Sequence, residues 1–246
     1  MVWSEIWKSV KEADFDGETY RWHFYKKLLG DFDFRGKKVL EIGCGTGMNS
    51  MLMAKAGAHV TFLDNSQEAL DIVKRNLEKF GLDGDIVRRN AFHHGFEDEF
   101  DLVHSEGVIE HFKGYYRQGI VDAHSIALKK GGRAVIIVPN MKCPPYRIGK
   151  FLAEKSGTWI FGNEYPYSET ELRYRMAKAG MHINALKEAE AVLSAGWIFS
   201  PFWQKSESFL KMSVGGSANR GLARLNYSSC FINKWGVIIG AAGKKT

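Results

Sequence analysis

The hydrophobic positions of this chain follow two rhythms that alternate along its length. Short apolar runs at residues 39–42, 59–64, 100–105 and 133–138 have the length of strands, and the first is of the kind that fills the centre of a parallel sheet. Residues 85–91, 182–191 and 231–241 read as three further strands. Between these runs apolar residues recur at helical spacing: Leu70, Val73, Leu77 and Phe80 make one face of a helix that Asn65 or Ser66 caps and Gly81 ends. Helices are likewise expected over 48–56, stopped by Gly57, and over 115–128, stopped by Gly131 and Gly132. Another starts at Ser168, in capping-box register with Glu171, and ends at Gly180. His124 shares a helix face with Ile120 and Ala127, so packing is its expected role. Trp3, Ile6, Trp7 and Val10 fall at i, i+3, i+4 and i+7, and a second aromatic cluster, residues 20–25, precedes a linker over 30–36. Two placements stay open for these leading helices: on the sheet edge, or over a ligand at its mouth.

The first strand runs into Glu41-Ile42-Gly43-Cys44-Gly45-Thr46-Gly47. Glycines at alternate positions let the chain turn sharply and bring backbone N–H groups close to a ligand, at the N-terminus of a helix where orphan amides favour negative charge. A dinucleotide fingerprint, G-x-G-x-x-G, would need its third glycine where Met48 stands. The pattern is instead E-x-G-x-G-x-G, followed by Asp64 at the end of the next strand. A right-handed crossover brings Asp64 beside the glycine turn, where a carboxylate can accept both hydroxyls of a ribose. Asp64 as a plain helix-capping acid, and a turn that binds nothing, are the structural alternatives.

That turn and Asp64 resemble motif I of the class I S-adenosylmethionine-dependent methyltransferases. The resemblance covers residues 39–138 and extends loosely over the remaining strands, and its layout is similar to small-molecule enzymes such as those of quinone biosynthesis. It implies a doubly wound α/β fold, a Rossmann-like sheet of seven mostly parallel strands with the last antiparallel; the N-terminal helices and the insertions after the fifth and sixth strands fall outside the resemblance. The whole chain, 1–246, is then one domain: a helical cap over 1–36, a cofactor-binding core over 37–139, and substrate-side insertions over 140–167 and 193–229. S-adenosylmethionine is the implied cofactor and S-adenosylhomocysteine the product. Glu41, Gly43, Cys44, Gly45 and Gly47 would surround its amino-acid end, with Asp64 and Asn65 at the ribose. Asn90, Ala91 and Phe92 would lie by the adenine; the family commonly has an acid at the position of Asn90, and an Asn side-chain oxygen can still accept that hydrogen bond. Ser105 and Glu106 would border the methionine half, and His111 would stand near the transferable methyl. If the acceptor is a hydroxyl, His111 is the candidate base; otherwise it positions or packs.

The two insertions are where the acceptor is decided, because large loops at the carboxyl edge of such a sheet carry specificity. Asn140, Tyr146 and Trp197 are the substrate-side candidates. The second insertion is rich in aromatics and stays open between a cap or dimer surface, an apolar pocket and a membrane-touching segment. Cys143-Pro144-Pro145-Tyr146 lacks the placement of the Pro-Pro-Tyr signature of amino-group methyltransferases and reads as a turn.

Composition narrows this further. Of 246 residues 45% are hydrophobic, enough for one large core, and no run approaches the roughly 18 apolar residues of a membrane span. Met1 to Val10 lack the form of a signal peptide, so a cytoplasmic location is expected. Three scattered cysteines make no disulfide framework, His93 and His94 are consecutive, and no local spacing suggests a metal, so none is expected. The net charge of +6 is spread instead of clustered, which makes nucleic acid an unlikely partner. A small-molecule methyltransferase, monomeric or homodimeric, leads; an RNA or protein methyltransferase and a non-catalytic cofactor-binding regulator are the alternatives.

Overall fold

A computed structural model describes residues 2–9, 20–190 and 236–246. Helices α1 (Val2–Ser9) and α2 (Tyr20–Leu29) lead into the sheet, which begins with β1 (Lys38–Ile42), α3 (Met48–Lys55), β2 (His59–Asp64), α4 (Gln67–Phe80) and β3 (Asp85–Arg88). There follow β4 (Phe100–Glu106), α5 (Tyr116–Ala127), β5 (Leu128–Pro139), α6 (Pro144–Lys155), α7 (Glu169–Lys178), β6 (Met181–Ala189) and β7 (Ile238–Lys245). The seven strands lie in the order β3-β2-β1-β4-β5-β7-β6. All neighbours pair in parallel except β7, which runs antiparallel to both β5 and β6, as the resemblance implies. The order reverses between β1 and β4, so the loops leaving those two strands diverge and open a crevice at their carboxyl ends.

Strand alternation divides the core in two. Val39, Val60, Phe62, Leu102, Val135 and Ile137 face one side, with Tyr25, Leu28 and Leu29 of α2 and Met51 of α3. Leu40, Ile42, Leu63, Val103, Ile136 and Val138 face the other, with Ile120 and Val121 of α5 and Leu172 and Met176 of α7. The same period of two places Glu41 and His104, partners in register, toward α2 and α3, and Ser105 toward α5. Ser66 caps α4 through the amide of Ala69, and Ser168 caps α7 through that of Glu171.

Several boundaries differ from the sequence reading. The third strand ends at Arg88, not residue 91, because the Asn90 side chain accepts the Phe92 amide and starts a 3₁₀ turn over Ala91–His93. The fifth strand starts at Leu128, before the two glycines, since Leu128 already pairs with Phe100 across a bulge. The last strand is Ile238–Lys245 where residues 231–241 were expected; residues 231–235 lie outside the described ones. Its small residues hid it: a Cβ on Gly240 would stand 2.6 Å from Leu28, so α2 presses directly onto a strand that has no side chain there. Residues 140–167 contain helix α6, with Pro144 in its first turn where the missing N–H costs nothing. The insertion over 193–229 lies outside the described residues. No helix among the described residues is long and apolar enough to cross a membrane.

Candidate active site

The glycine turn sits where the crevice opens. Gly43 and Gly45 have φ of 68° and 52°, and a Cβ on them would come within 2.6 Å of Val108 and 2.7 Å of Trp7. Only glycine satisfies both the left-handed backbone and that closeness. Gly47 caps α3, and Cys44 is buried, which pushes its thiol up well above the usual range. Asp64 lies against this turn: its Oδ2 accepts from the Gly45 amide at 3.1 Å and its Oδ1 from the Ser66 amide at 2.9 Å. Burial raises its pKa and those amides work against the rise.

Glu41 is buried at the end of β1. Loss of solvent pushes its carboxyl up to about 8, opposed by a hydrogen bond from Ser50 and assisted by the charge of Asp64. Its Oε2 has no hydrogen-bond partner among the described residues. A buried, polar relay stands behind it. Tyr25 Oη lies 3.0 Å from His104 Nδ1, and His104 Nε2 lies 2.8 Å from Ser50 Oγ. Burial, with the nearby His124, holds His104 down to about 3, so its ring is neutral. On the opposite face His124 donates from Nδ1 to the Ile120 carbonyl at 2.7 Å, and its Nε2 accepts from the Ser105 hydroxyl at 2.8 Å. Ser105 is thereby tied into the core, and His124 is the packing residue expected of it.

Glu106, at the end of β4, accepts from Asn49 Nδ2 at 2.9 Å and pairs with Arg21 of α2. Arg21 also pairs with Glu190 at 2.8 Å, just beyond β6. Helix α1 lies over the turn. Trp7 packs on Gly45 and stacks on Trp3 at 5.8 Å, and Trp3 meets the edge of His111 at 5.0 Å. Hydrogen bonds from Ser4 and Ser66 to Glu68 at the start of α4, with attraction from Lys8, hold that carboxyl down to about 2. Of the two placements left open for the first helix, the structure has the one over the mouth.

A second group follows β4. Glu110 is buried, and desolvation pushes it up to about 8; Glu164 is raised to about 7 by burial and by Glu110. Tyr146 of α6 donates from its hydroxyl to Glu164, and His111 donates from Nδ1 to the Asn163 carbonyl at 2.8 Å. Arg117 fixes this segment. It binds both oxygens of Glu171, at 2.6 and 2.9 Å, donates to the carbonyls of Tyr165 and Pro166, and lies 3.5 Å over the Tyr167 ring.

The sequence candidates therefore fall into three places. Glu41, Gly43, Cys44, Gly45, Gly47, Asp64 and Asn65 surround the turn, with Ser105 and Glu106 on the adjacent strand β4. Asn90, Ala91 and Phe92 form the 3₁₀ turn after β3, and Phe92 packs edge-on to Phe112 at 5.0 Å. His111 and Tyr146 meet around Glu164. Asn140 is buried and spends its side chain on the Gly236 carbonyl and the Lys142 amide, which ties the exit of β5 to the chain entering β7. Trp197 lies outside the described residues. Sequence reasoning missed Ser50, His104, Arg21, Asn49, Glu110 and Glu164. Of these, His104 left a trace, a polar residue directly after the apolar pair Leu102-Val103 in β4.

An open α/β sheet with a glycine turn and an acid on the next strand, at the switch point, is the architecture of enzymes that bind a nucleoside cofactor. Comparison with known proteins specifies the class. Residues 39–132 match the family described as a methyltransferase domain. The ubiquinone biosynthesis O-methyltransferase of Ruegeria sp. (strain TM1040) is 28% identical over 197 residues, 78% of this chain and 76% of that one. Its counterpart from Ruegeria pomeroyi is 29% identical over 206 residues, 77% and 78% of the two chains. Among solved structures, magnesium protoporphyrin IX methyltransferase from Synechocystis, with bound S-adenosylhomocysteine, superposes with a TM-score of 0.63 at 13% identity, covering 98% of this chain and 93% of that one. At that identity the likeness speaks for the fold. Residues 39–132 thus match a methyltransferase domain, and over three quarters of its length the chain is similar to S-adenosylmethionine-dependent methyltransferases that act on small molecules.

Proposed function

We propose that this enzyme methylates an oxygen or nitrogen atom of a small molecule. Support for the acceptor class comes from the two Ruegeria relatives, which are named as O-methyltransferases of ubiquinone biosynthesis and align over three quarters of the chain. The observation that carries the cofactor end is Glu41 Oε2, buried and without a partner among the described residues beside glycines whose Cβ atoms would not fit. A buried polar atom left unpaired asks for a ligand, and an ammonium satisfies it.

In this reading Glu41 receives the ammonium of the cofactor and Asp64 its ribose hydroxyls, using the lone pairs that the two amides leave over. Gly43, Cys44, Gly45 and Gly47 offer backbone to the amino-acid end, Asn65 extends the ribose side, and Asn90, Ala91 and Phe92 border the base. Ser105 and Glu106 border the methionine half, with Glu106 steered by Asn49 and Arg21. Bound there, the cofactor supplies a methyl group on a cationic sulfur that is already electrophilic. Orientation then matters most: pre-organisation contributes roughly 7–11 kcal/mol, against some 3–5 kcal/mol for a general base. Trp3 and Trp7 cover the path between the turn and His111 and keep water from it. The proton of a hydroxyl acceptor falls to the group around His111, Glu110 and Glu164.

Calorimetric titration with S-adenosylmethionine and S-adenosylhomocysteine, followed by incubation of the enzyme and methyl-labelled cofactor with a cell extract, tests this. Label is expected in the low-molecular-weight fraction. Label confined to RNA or protein would overturn the acceptor class, and absence of affinity for both compounds would overturn the whole reading.

A further inference from the structure

Behind Glu41 stands a row of buried polar groups that the proposed function leaves unused. Tyr25 is fully buried on α2, and its hydroxyl lies 3.0 Å from His104 Nδ1. His104, fully buried on β4, has its Nε2 2.8 Å from Ser50 Oγ of α3. Ser50 in turn hydrogen-bonds the Glu41 carboxyl, and because Oε2 has no partner among the described residues, that bond is to Oε1. Glu41 Oε1 and His104 Nδ1 stand 4.0 Å apart, too far for a direct bond, so the histidine reaches the acid through Ser50. Counting hydrogens gives the row one direction. A neutral imidazole donates from one nitrogen and accepts at the other. If His104 donated to Tyr25, the Tyr25 hydrogen would lose its acceptor, and Ser50 would turn its own hydrogen to Nε2, leaving neither oxygen of a buried carboxyl paired. With Tyr25 donating to Nδ1, Nε2–H donating to Ser50 and Ser50 donating to Oε1, every member is satisfied and only Oε2 is left for a ligand. Donors in series polarise one another, and a hydrogen bond to a carboxylate favours its charged form.

From this geometry we infer that Tyr25, His104 and Ser50 are positioning residues for the cofactor: a one-way row of donors that fixes Glu41 Oε1 and prepares Oε2 to exchange its proton for the cofactor's ammonium. The inference rests on the proposed placement of that ammonium at Glu41. In the free protein the O–H bond is on Oε2; it breaks as the ammonium arrives, the proton passes to buffer, and an N–H of the ammonium takes its place. The remaining groups around Glu41 act differently. The charge of Asp64 on β2 opposes ionisation, whereas Cys44 of the turn and Tyr25 are pushed up by burial and stay neutral. Arg21 of α2 is engaged by Glu106 of β4 and by Glu190, and Lys8 of α1 is drawn to Glu68. His104 and His124 of α5 are both held neutral by burial. The row of donors is therefore the support for the charged form of Glu41 that the protein itself supplies.

Full-length protein and variants are titrated calorimetrically with S-adenosylhomocysteine between about pH 6 and 9, in buffers of different ionisation enthalpy. Affinity of the parent should rise with pH and level off above about 8, with about half a proton released per site at pH 8. Ser50→Ala removes only the last donor. It should move that bend up by about one pH unit, lower affinity at pH 7 about tenfold, and bring release at pH 8 close to one proton. His104→Leu should move the bend the same way, and His104→Gln, whose amide nitrogen can donate in place of Nε2, should return most of it. Tyr25→Phe, at the far end of the row, should move it least. The ligand's own ionisation is the same for every variant, so differences between them belong to the chain. One-site stoichiometry reports that a variant is folded; should His104→Leu fail to fold, Ser50→Ala, which deletes a single oxygen from a helix, decides. A parental bend and proton count in folded Ser50→Ala, whatever its affinity, overturn this inference and leave the methyl-transfer reading standing. A parent protein without affinity for S-adenosylhomocysteine overturns both.

Discussion

Two groups of buried acids meet the same sheet edge, and the chain builds them in opposite ways. Around the glycine turn, Glu41 and Asp64 come from adjacent parallel strands, and a single crossover through α3 sets them side by side. Around His111, Glu110 sits in the loop after β4 while Glu164 arrives from the far end of the excursion that contains α6. Strand pairing holds the first group. The second depends on Arg117, which clamps residues 165 and 166, and on the Tyr165 amide, which donates to the Glu110 carbonyl at 2.8 Å. A site made by neighbouring strands is as rigid as the sheet; one made by a returning loop is as rigid as its clamp.

The clamp is the place to break that contrast most severely. Arg117→Met strips Glu171 of a two-point partner and leaves the Tyr165 and Pro166 carbonyls without their donor. We expect a loss of about 3 kcal/mol in denaturant unfolding, with cofactor affinity in the folded fraction nearly unchanged. Equal damage to cofactor binding would show that the two groups are not independent. Asp64→Ala acts on the other side: if Asp64 accepts the two ribose hydroxyls as proposed, its removal should cost about 2–3 kcal/mol of cofactor affinity, roughly 30- to 150-fold by calorimetry. His104→Phe probes what stands behind Glu41. It leaves the Tyr25 and Ser50 hydroxyls short of a partner and should lower stability by about 1–3 kcal/mol, with a smaller loss of affinity.

The gentlest test uses pH. His104 and His124 have folded pKa values of about 3 and about 4, below the ordinary 6.5, so the unfolded chain binds protons that the folded chain refuses. Their contribution is complete above pH 6.5 and drains away as pH falls through about 4 and then about 3, at no more than about 1.4 kcal/mol per pH unit for each. Thermal melts of His124→Asn should show a flatter acid limb.

The contrast also explains what could be read from the chain. The glycine turn and Asp64 lie within one strand-helix-strand unit, so their spacing revealed them, and the mostly parallel seven-stranded sheet with its last strand antiparallel followed from the family resemblance. Glu164 was invisible as a partner of His111, because nothing local marks two residues that a loop returns to the same place. Arg21 was masked by its aromatic neighbours, and only the fold shows that it joins Glu106 to Glu190. The last strand was misplaced because Gly240 and Gly243, which let Phe24, Leu28 and Met176 pack closely, look like loop residues in a linear reading. Asn140 was chosen for its position after β5, yet its side chain is spent on backbone.

Protonation of Glu41 gives the central claim its sharpest test. In the free protein its carboxyl is held up to about 8, so it is largely neutral at pH 7, and receiving an ammonium requires that it ionise. Calorimetric titration with S-adenosylmethionine at pH 7, in buffers of different ionisation enthalpy, should therefore show one site per chain and release of close to one proton. Glu41→Gln should bind more weakly and release none. Cofactor binding without proton release, and indifferent to that substitution, would contradict the placement of the amino-acid end at the head of this sheet.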